Sequence, residues 1–187
     1  MQLRIVEDRA VSFWQQGGTN GEPVEHMKAI ANPFRAFRWF ALQRFIRTTF
    51  PEVKQVSTGD LSRILESSAE GAVLLLDTRR ENEFAVSHLE GAVRLDPDTS
   101  DDNLAKIADR VGPIITYCSV GYRSSGVARR LLRAGCQDVR NLEGSIFKWA
   151  NEGRAVVRDG TTVREVHPYN ESWGKLLRAD LRSERPK

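Results

Sequence analysis

Two cysteines occur among the 187 residues. One of them, Cys118, stands where an apolar run ends and a helical pattern begins, in "YCSVGYRSSGVARRLL" from Tyr117 to Leu132. Behind it come Ser119, Val120, Gly121, Tyr122 and Arg123, and then Ser124 and Ser125. A loop that winds into a helix N-terminus can aim several backbone N–H groups at one point. Gly121 permits the backbone angles this requires. The helix dipole and Arg123 favour an anion at the sulfur, so the Cys118 thiol is expected to ionise more readily than usual. The thiolate is the nucleophilic form, and a small buried hydrophobe is the competing role for such a cysteine. Cys136, in "RAGCQDV", lies at a helix-to-strand turn with no glycine cradle after it and an aspartate nearby, and reads as structural.

Such a loop needs a strand behind it and a helix ahead of it. "IITYC", opened by Pro113, reads as a buried strand, and "SSGVARRLLRAG" as a helix with Val127–Leu131 and Ala128–Leu132 as its i, i+4 pairs. Ser124 or Ser125 is the expected cap, Gly126 the close-packing position of the first turn, and Gly135 the stop. The rest of the segment alternates in the same way. "VSTGDLSRILES" gives a strand end and a short helix, and "AVLLLDTR" a strand covered on both faces that ends in Asp77. "ENEFAVSHLEGA" gives a short helix and turn, "VRL" a short strand, and "DDNLAKIADRV" a helix through Leu104, Ile107, Ala108 and Val111. "DVRNL" is a strand and "SIFKWANEG" a helix. The reading is an α/β fold with a mainly parallel central sheet flanked by helices, in which ligands bind beyond the carboxyl ends of the strands, where Cys118 sits.

Composition bounds the rest. The apolar share of 40%, the charged share of 28% and the net charge of +3 are ordinary for a globular domain and leave no nucleic-acid footprint. Two cysteines make no disulfide framework, which suits a reducing compartment. With no apolar signal segment and no span-length apolar stretch, a cytoplasmic, non-membrane protein is expected. His26, His88 and His167 are scattered without ligand spacing, and no phosphate or dinucleotide loop occurs, so no metal and no cofactor are expected. Three regions are expected: an N-terminal extension over 1–52, a central domain over 53–158 and a tail over 159–187. The extension holds a helix near 33–49, started by Asn32 and Pro33 and stopped by Pro51. Phe34, Phe37, Ala41 and Phe45 share one face of it, and Trp39, Leu42 and Ile46 form a second, with arginines between. Packing on the central domain is the favoured reading, and it leaves a homodimer through this helix open. Lipid or partner binding is the minority reading.

The residues from about Val53 to Val157 resemble a single-domain rhodanese, the sulfurtransferase family. "CSVGYRS" fits that family's loop, C-x-x-G-x-R followed by Ser or Thr. "DTRRENEFAVSHLEGA" matches a second signature at Asp77, Arg79, Glu83, Phe84, His88, Gly91 and Ala92. "LEGSIFKW" matches a third, with Trp149 in place and Ser145 where a second glycine is usual. The resemblance implies a three-layer rhodanese-like fold and ping-pong sulfur transfer. The Cys118 thiolate would take the outer sulfur of thiosulfate or of a persulfide, including a protein persulfide, and pass it to cyanide or a thiol.

Backbone N–H groups from Ser119 to Ser124 would hold the persulfide, Arg123 would orient a small anionic donor, and Tyr122 would shape the mouth. Asp77 is expected to anchor the loop through a hydroxyl or backbone N–H. Arg79 lies near the mouth or pairs with Glu83, the latter being preferred. His88 is read as a turn contact rather than a base. Two rivals stand beside this. A cysteine phosphatase or arsenate reductase would need C-x5-R, and the spacing from Cys118 to Arg123 is one residue shorter. A non-catalytic, partner-binding module of the same fold is the other.

Overall fold

The computed structural model describes residues 33–69, 72–107 and 112–185. His26, the Asn32 cap, Ala108 and Val111 lie outside them. The elements run α1 (Pro33–Thr49), β1 (Lys54–Val56), α2 (Thr58–Ser67), β2 (Leu74–Asp77), α3 (Glu81–Val86), β3 (Val93–Arg94), α4 (Asp101–Ala105) and β4 (Ile114–Tyr117). They continue with α5 (Tyr122–Arg133), β5 (Val139–Leu142), α6 (Ser145–Asn151), β6 (Val156–Arg158), β7 (Thr161–Val163) and α7 (Glu171–Gly174), before a final 3-10 turn at Ala179–Leu181.

Five strands form one parallel sheet in the order β1-β5-β4-β2-β3. The continuous apolar runs arise because both faces are covered. Successive side chains point to opposite faces, so Leu75 and Ile115 join a core with Leu61, Ile146 and Phe147, while Leu76 and Ile114 join another with Leu104, Val127 and Leu131. Helices α2 and α6 thus cover one face, and α4 and α5 the other. This is the three-layer α/β arrangement expected. Within the described residues α4 is shorter than its periodicity implies: Ser100 caps it through Asn103 N–H, and regular helix ends at Ala105.

The aromatic and basic helix α1 packs on the sheet domain with the Trp39, Leu42, Ile46 face. Ile46 is fully buried, and Phe50 closes the same end. The opposite face, with Phe37 and Phe40, is exposed, and Phe45 lies at its border. Strands β6 and β7 make an antiparallel hairpin through Asp159 and Gly160, both at positive φ, as a two-residue turn requires. The chain beyond buries Val166, Leu176, Leu177 and Leu181 in the core that holds Leu142 and Trp149. Asn151 fixes it by donating to Leu176 C=O and accepting from Arg178 N–H, each at 2.8 Å. Among the described residues no helix is long and apolar enough to cross a membrane.

Candidate active site

Strand β4 ends in a wholly buried Tyr117, whose hydroxyl accepts Leu89 N–H at 3.0 Å. Cys118 follows. Its N–H donates to Ser145 Oγ at 3.1 Å, and its C=O accepts Ile146 N–H at 3.2 Å, so the start of α6 pins the residue from behind. The chain then curls at Gly121, whose φ of 111° only glycine adopts readily. Space there is tight as well, because a Cβ would stand 3.3 Å from Asn141 Nδ2. The curl brings Gly121 N–H to 3.2 Å from Cys118 Sγ.

Helix α5 starts earlier than Ser124 or Ser125 would have set it, with Gly121 as its N-cap. The two serines therefore sit inside the first turn. Ser125 Oγ donates to Gly121 C=O at 2.7 Å, and Ser124 Oγ donates to Asn141 Oδ1 at 2.6 Å. Gly126 does not serve close packing, since nothing lies within 4 Å of a Cβ built there.

Burial by itself would push the Cys118 thiol up. The Arg123 charge and the hydrogen bonds from Ser124 and Gly121 outweigh it, and the net shift is downward. At Cys136 burial outweighs a backbone hydrogen bond that acts the other way, and the thiol is pushed up.

The ion pairs differ from the expected ones. Arg79 does not pair with Glu83 and does not reach the mouth. It is fully buried and binds Asp77 through Nε at 2.9 Å and a terminal nitrogen at 2.6 Å, while also donating to Ser87 C=O. Asp77 also accepts Arg79 N–H, so its carboxylate is used at its own strand end and does not anchor the cysteine loop. The loop is held instead by Thr78, which donates N–H and hydroxyl to Tyr117 C=O at 2.8 and 3.1 Å. Glu83, 1% exposed, faces the other way and forks with Arg123 at 2.7 and 2.8 Å. It also accepts the Ser119 hydroxyl at 3.0 Å. Burial would raise the Glu83 carboxyl, but the Arg123 fork wins and holds it below the usual range. Arg123 thus faces the cavity while held on Glu83 and Ser119. His88 stacks on Phe84 at 3.9 Å and bridges to Val157 through its backbone, as a turn contact would.

Beside Sγ lies a cavity of about 230 Å³. The loop lines it with Cys118, Ser119, Val120, Tyr122 and Arg123; α1 adds Leu42 and Phe45, and the chain after β7 adds Tyr169 and Trp173. Tyr122 is at the mouth, stacked on Phe45 at 5.8 Å and edge-on to Phe50 at 5.4 Å. Of the residues expected in the site, Cys118 to Ser124 are brought together, whereas Asp77 and Arg79 lie behind it. Glu83, Ser145, Tyr169, Trp173, Leu42 and Phe45 were not expected in it. Their approach comes from chain crossings that no local spacing reports.

Compared with known proteins, residues 60–152 match the Rhodanese-like domain. A tRNA uridine(34) hydroxylase from Listeria monocytogenes is 35% identical over 92 residues, 46% of this chain and 28% of that protein. One from Photorhabdus laumondii is 28% identical over 116 residues, 58% of this chain and 32% of that protein. The chain thus spans about a third or less of the length of these curated relatives. Among solved structures, a rhodanese-like domain protein from Staphylococcus aureus aligns with a TM-score of 0.50 and 28% identity, over 58% of this chain and all of that one. A thiosulfate sulfurtransferase from Pseudomonas aeruginosa shares the fold with a TM-score of 0.53 at 18% identity, over 74% of this chain and 26% of that one.

Proposed function

The chain is a member of the rhodanese-like family through its residues 60–152, and on that premise we propose that it is a sulfurtransferase working through a persulfide on Cys118. The observation that carries this reading is the cradle itself: Gly121 N–H stands 3.2 Å from Sγ, at the N-terminus of α5, with the thiol shifted toward its ionised form. The thiolate attacks the outer sulfur of thiosulfate or of a persulfide, the S–S bond of the donor breaks, and sulfite or a thiolate leaves. A thiol or cyanide then takes the outer sulfur and returns Sγ as thiolate. Splitting the transfer in two lets one cradle serve both steps. Backbone N–H groups suit both the thiolate and the persulfide, because they stabilise negative charge without a fixed partner. Glu83 holds Arg123, and Arg123 in turn biases the sulfur toward its anion.

The relatives' name supports a second reading, in which this domain is one module of an enzyme that modifies a tRNA uridine. Salt-sensitive tRNA binding by the chain would favour it. The test of the sulfurtransferase reading is thiocyanate release from cyanide with thiosulfate or inorganic polysulfide as donor. Activity in the wild type that is lost in Cys118→Ser supports it. No release with either donor overturns it.

A further inference from the structure

Two flanks outside the matched segment, α1 and the chain after β7, close over Cys118 and decide what can approach it. Leu42 and Phe45 come from the first, and Tyr169 and Trp173 from the second. The flanks are tied to the loop and to each other. Gln43 donates to Val120 C=O, and Arg38 to Ser172 C=O, each at 3.5 Å. Arg47 pairs with Glu143. Tyr169 is held at a φ of 66°, which non-glycine residues seldom adopt, by donating its N–H to His167 Nδ1 at 3.0 Å. In that pose its ring lies 4.6 Å from the Arg123 guanidinium carbon.

The charge at the mouth is thereby spent. Among the described residues lining the cavity, Arg123 is the one charged side chain, and it is forked on Glu83, bonded to Ser119 Oγ at 3.0 Å and faced by Tyr169. An oxyanion entering here would lose water and meet, among the described residues, only a cation already forked on a carboxylate, a cost that an apolar group escapes. An apolar cavity of about 150 Å³ is enough for a benzene ring, so one ring on a short stem fits the space here.

We infer that the preferred acceptor of this site is a small aryl or alkyl thiol whose organic group is uncharged and apolar. This rests on the sulfur-transfer reading. The acceptor thiolate R–S⁻ attacks the outer sulfur of the protonated Cys118 persulfide, and the bond from that sulfur to Sγ breaks. R–S–SH leaves with the proton, and the electron pair stays on Sγ as the Cys118 thiolate. The ring of R lies between Phe45, Val120 and Trp173 while its sulfur points into the cradle.

The experiment has two arms. In the first, the chain is loaded with sulfur by inorganic polysulfide, checked by intact mass, and discharged by benzyl mercaptan or by 2-mercaptoethanesulfonate at equal thiolate concentration. In the second, unloaded protein reacts with benzyl methanethiosulfonate or 2-sulfonatoethyl methanethiosulfonate, each rate being divided by that with free glutathione. The apolar member is faster by about tenfold or more in both arms. Phe45→Lys, at a half-exposed position whose change opens no core, lowers the ratio severalfold. Equal rates, or a faster anionic member, would overturn the inference. A chain that takes no sulfur defeats the sulfur-transfer reading alone, because the second arm still measures the preference.

Discussion

The carboxylate of Glu83 and the guanidinium of Arg123 meet as a fork across 40 positions of sequence, at 2.7 and 2.8 Å. One member is buried and the other is 23% exposed. Removing Arg123 strands a buried carboxylate. Arg123→Ala should therefore cost on the order of 2 kcal/mol, reduced from the fully buried case by the exposure of the arginine. It should also raise the Cys118 pKa. Thermal melting and the pH profile of iodoacetamide labelling report the two effects, and Arg123→Lys should restore much of the second and less of the first.

The same pair fixes an acid limb of stability. The Glu83 carboxyl is lowered in the folded chain, so the unfolded chain takes up its proton first. Its contribution is whole above the ordinary value of 4.5 and is lost as pH falls below that toward the folded value. Urea melts from pH 7 downward should show this loss. Glu83→Gln should be less stable at pH 7 and flatter below pH 4.5.

Ser145 stands at a φ of 51°, where the family pattern has glycine, and its hydroxyl accepts Cys118 N–H. Ser145→Ala keeps the strain and leaves that buried N–H unpaired, a loss of about 1–3 kcal/mol. Ser145→Gly loses the same bond but relieves the backbone, so it should be the more stable of the two by about 1 kcal/mol. Urea denaturation of both variants orders them.

The two cysteines make an internal control. Labelling by iodoacetamide across pH, followed by peptide mass spectrometry, should give Cys118 a midpoint below that of an ordinary thiol and Cys136 one above it. Equal midpoints would mean that the α5 cradle does not act on the sulfur.

Asp77 and Arg79 lie behind the site as a wholly buried pair. Asp77→Ala should cost about 3 kcal/mol or more, because it leaves a buried guanidinium unpaired. Where the variant folds, the Cys118 labelling midpoint should stay in place. A shift comparable to that of Arg123→Ala would place Asp77 in the cradle after all.

What was legible in the sequence is what short-range pattern encodes. Apolar runs such as Leu74–Leu76, and the Ile114–Ile115 pair behind Tyr117, announce buried parallel strands, and a cysteine followed by Gly121 and Arg123 announces the loop. The start of α5 is not legible, because Gly121 caps it through its backbone, whereas Ser124 and Ser125 look like caps by residue type. The partner of Arg79 is hidden in the sequence, because Glu83 at i+4 is a good local partner, while Asp77 at the strand end is the one within reach. Tyr169 and Trp173 carried no signal. They reach Cys118 through a hairpin and the four-residue helix α7, and neither periodicity nor motif reports where such a chain returns.

The most direct measurement is intact-protein mass after incubation with thiosulfate and, separately, with inorganic polysulfide, on wild type and on Cys118→Ser. The account predicts that wild type gains one sulfur atom, located on the Cys118 peptide and removed by cyanide, and that the variant gains none. No gain with either donor, or an equal gain in Cys118→Ser, would contradict it.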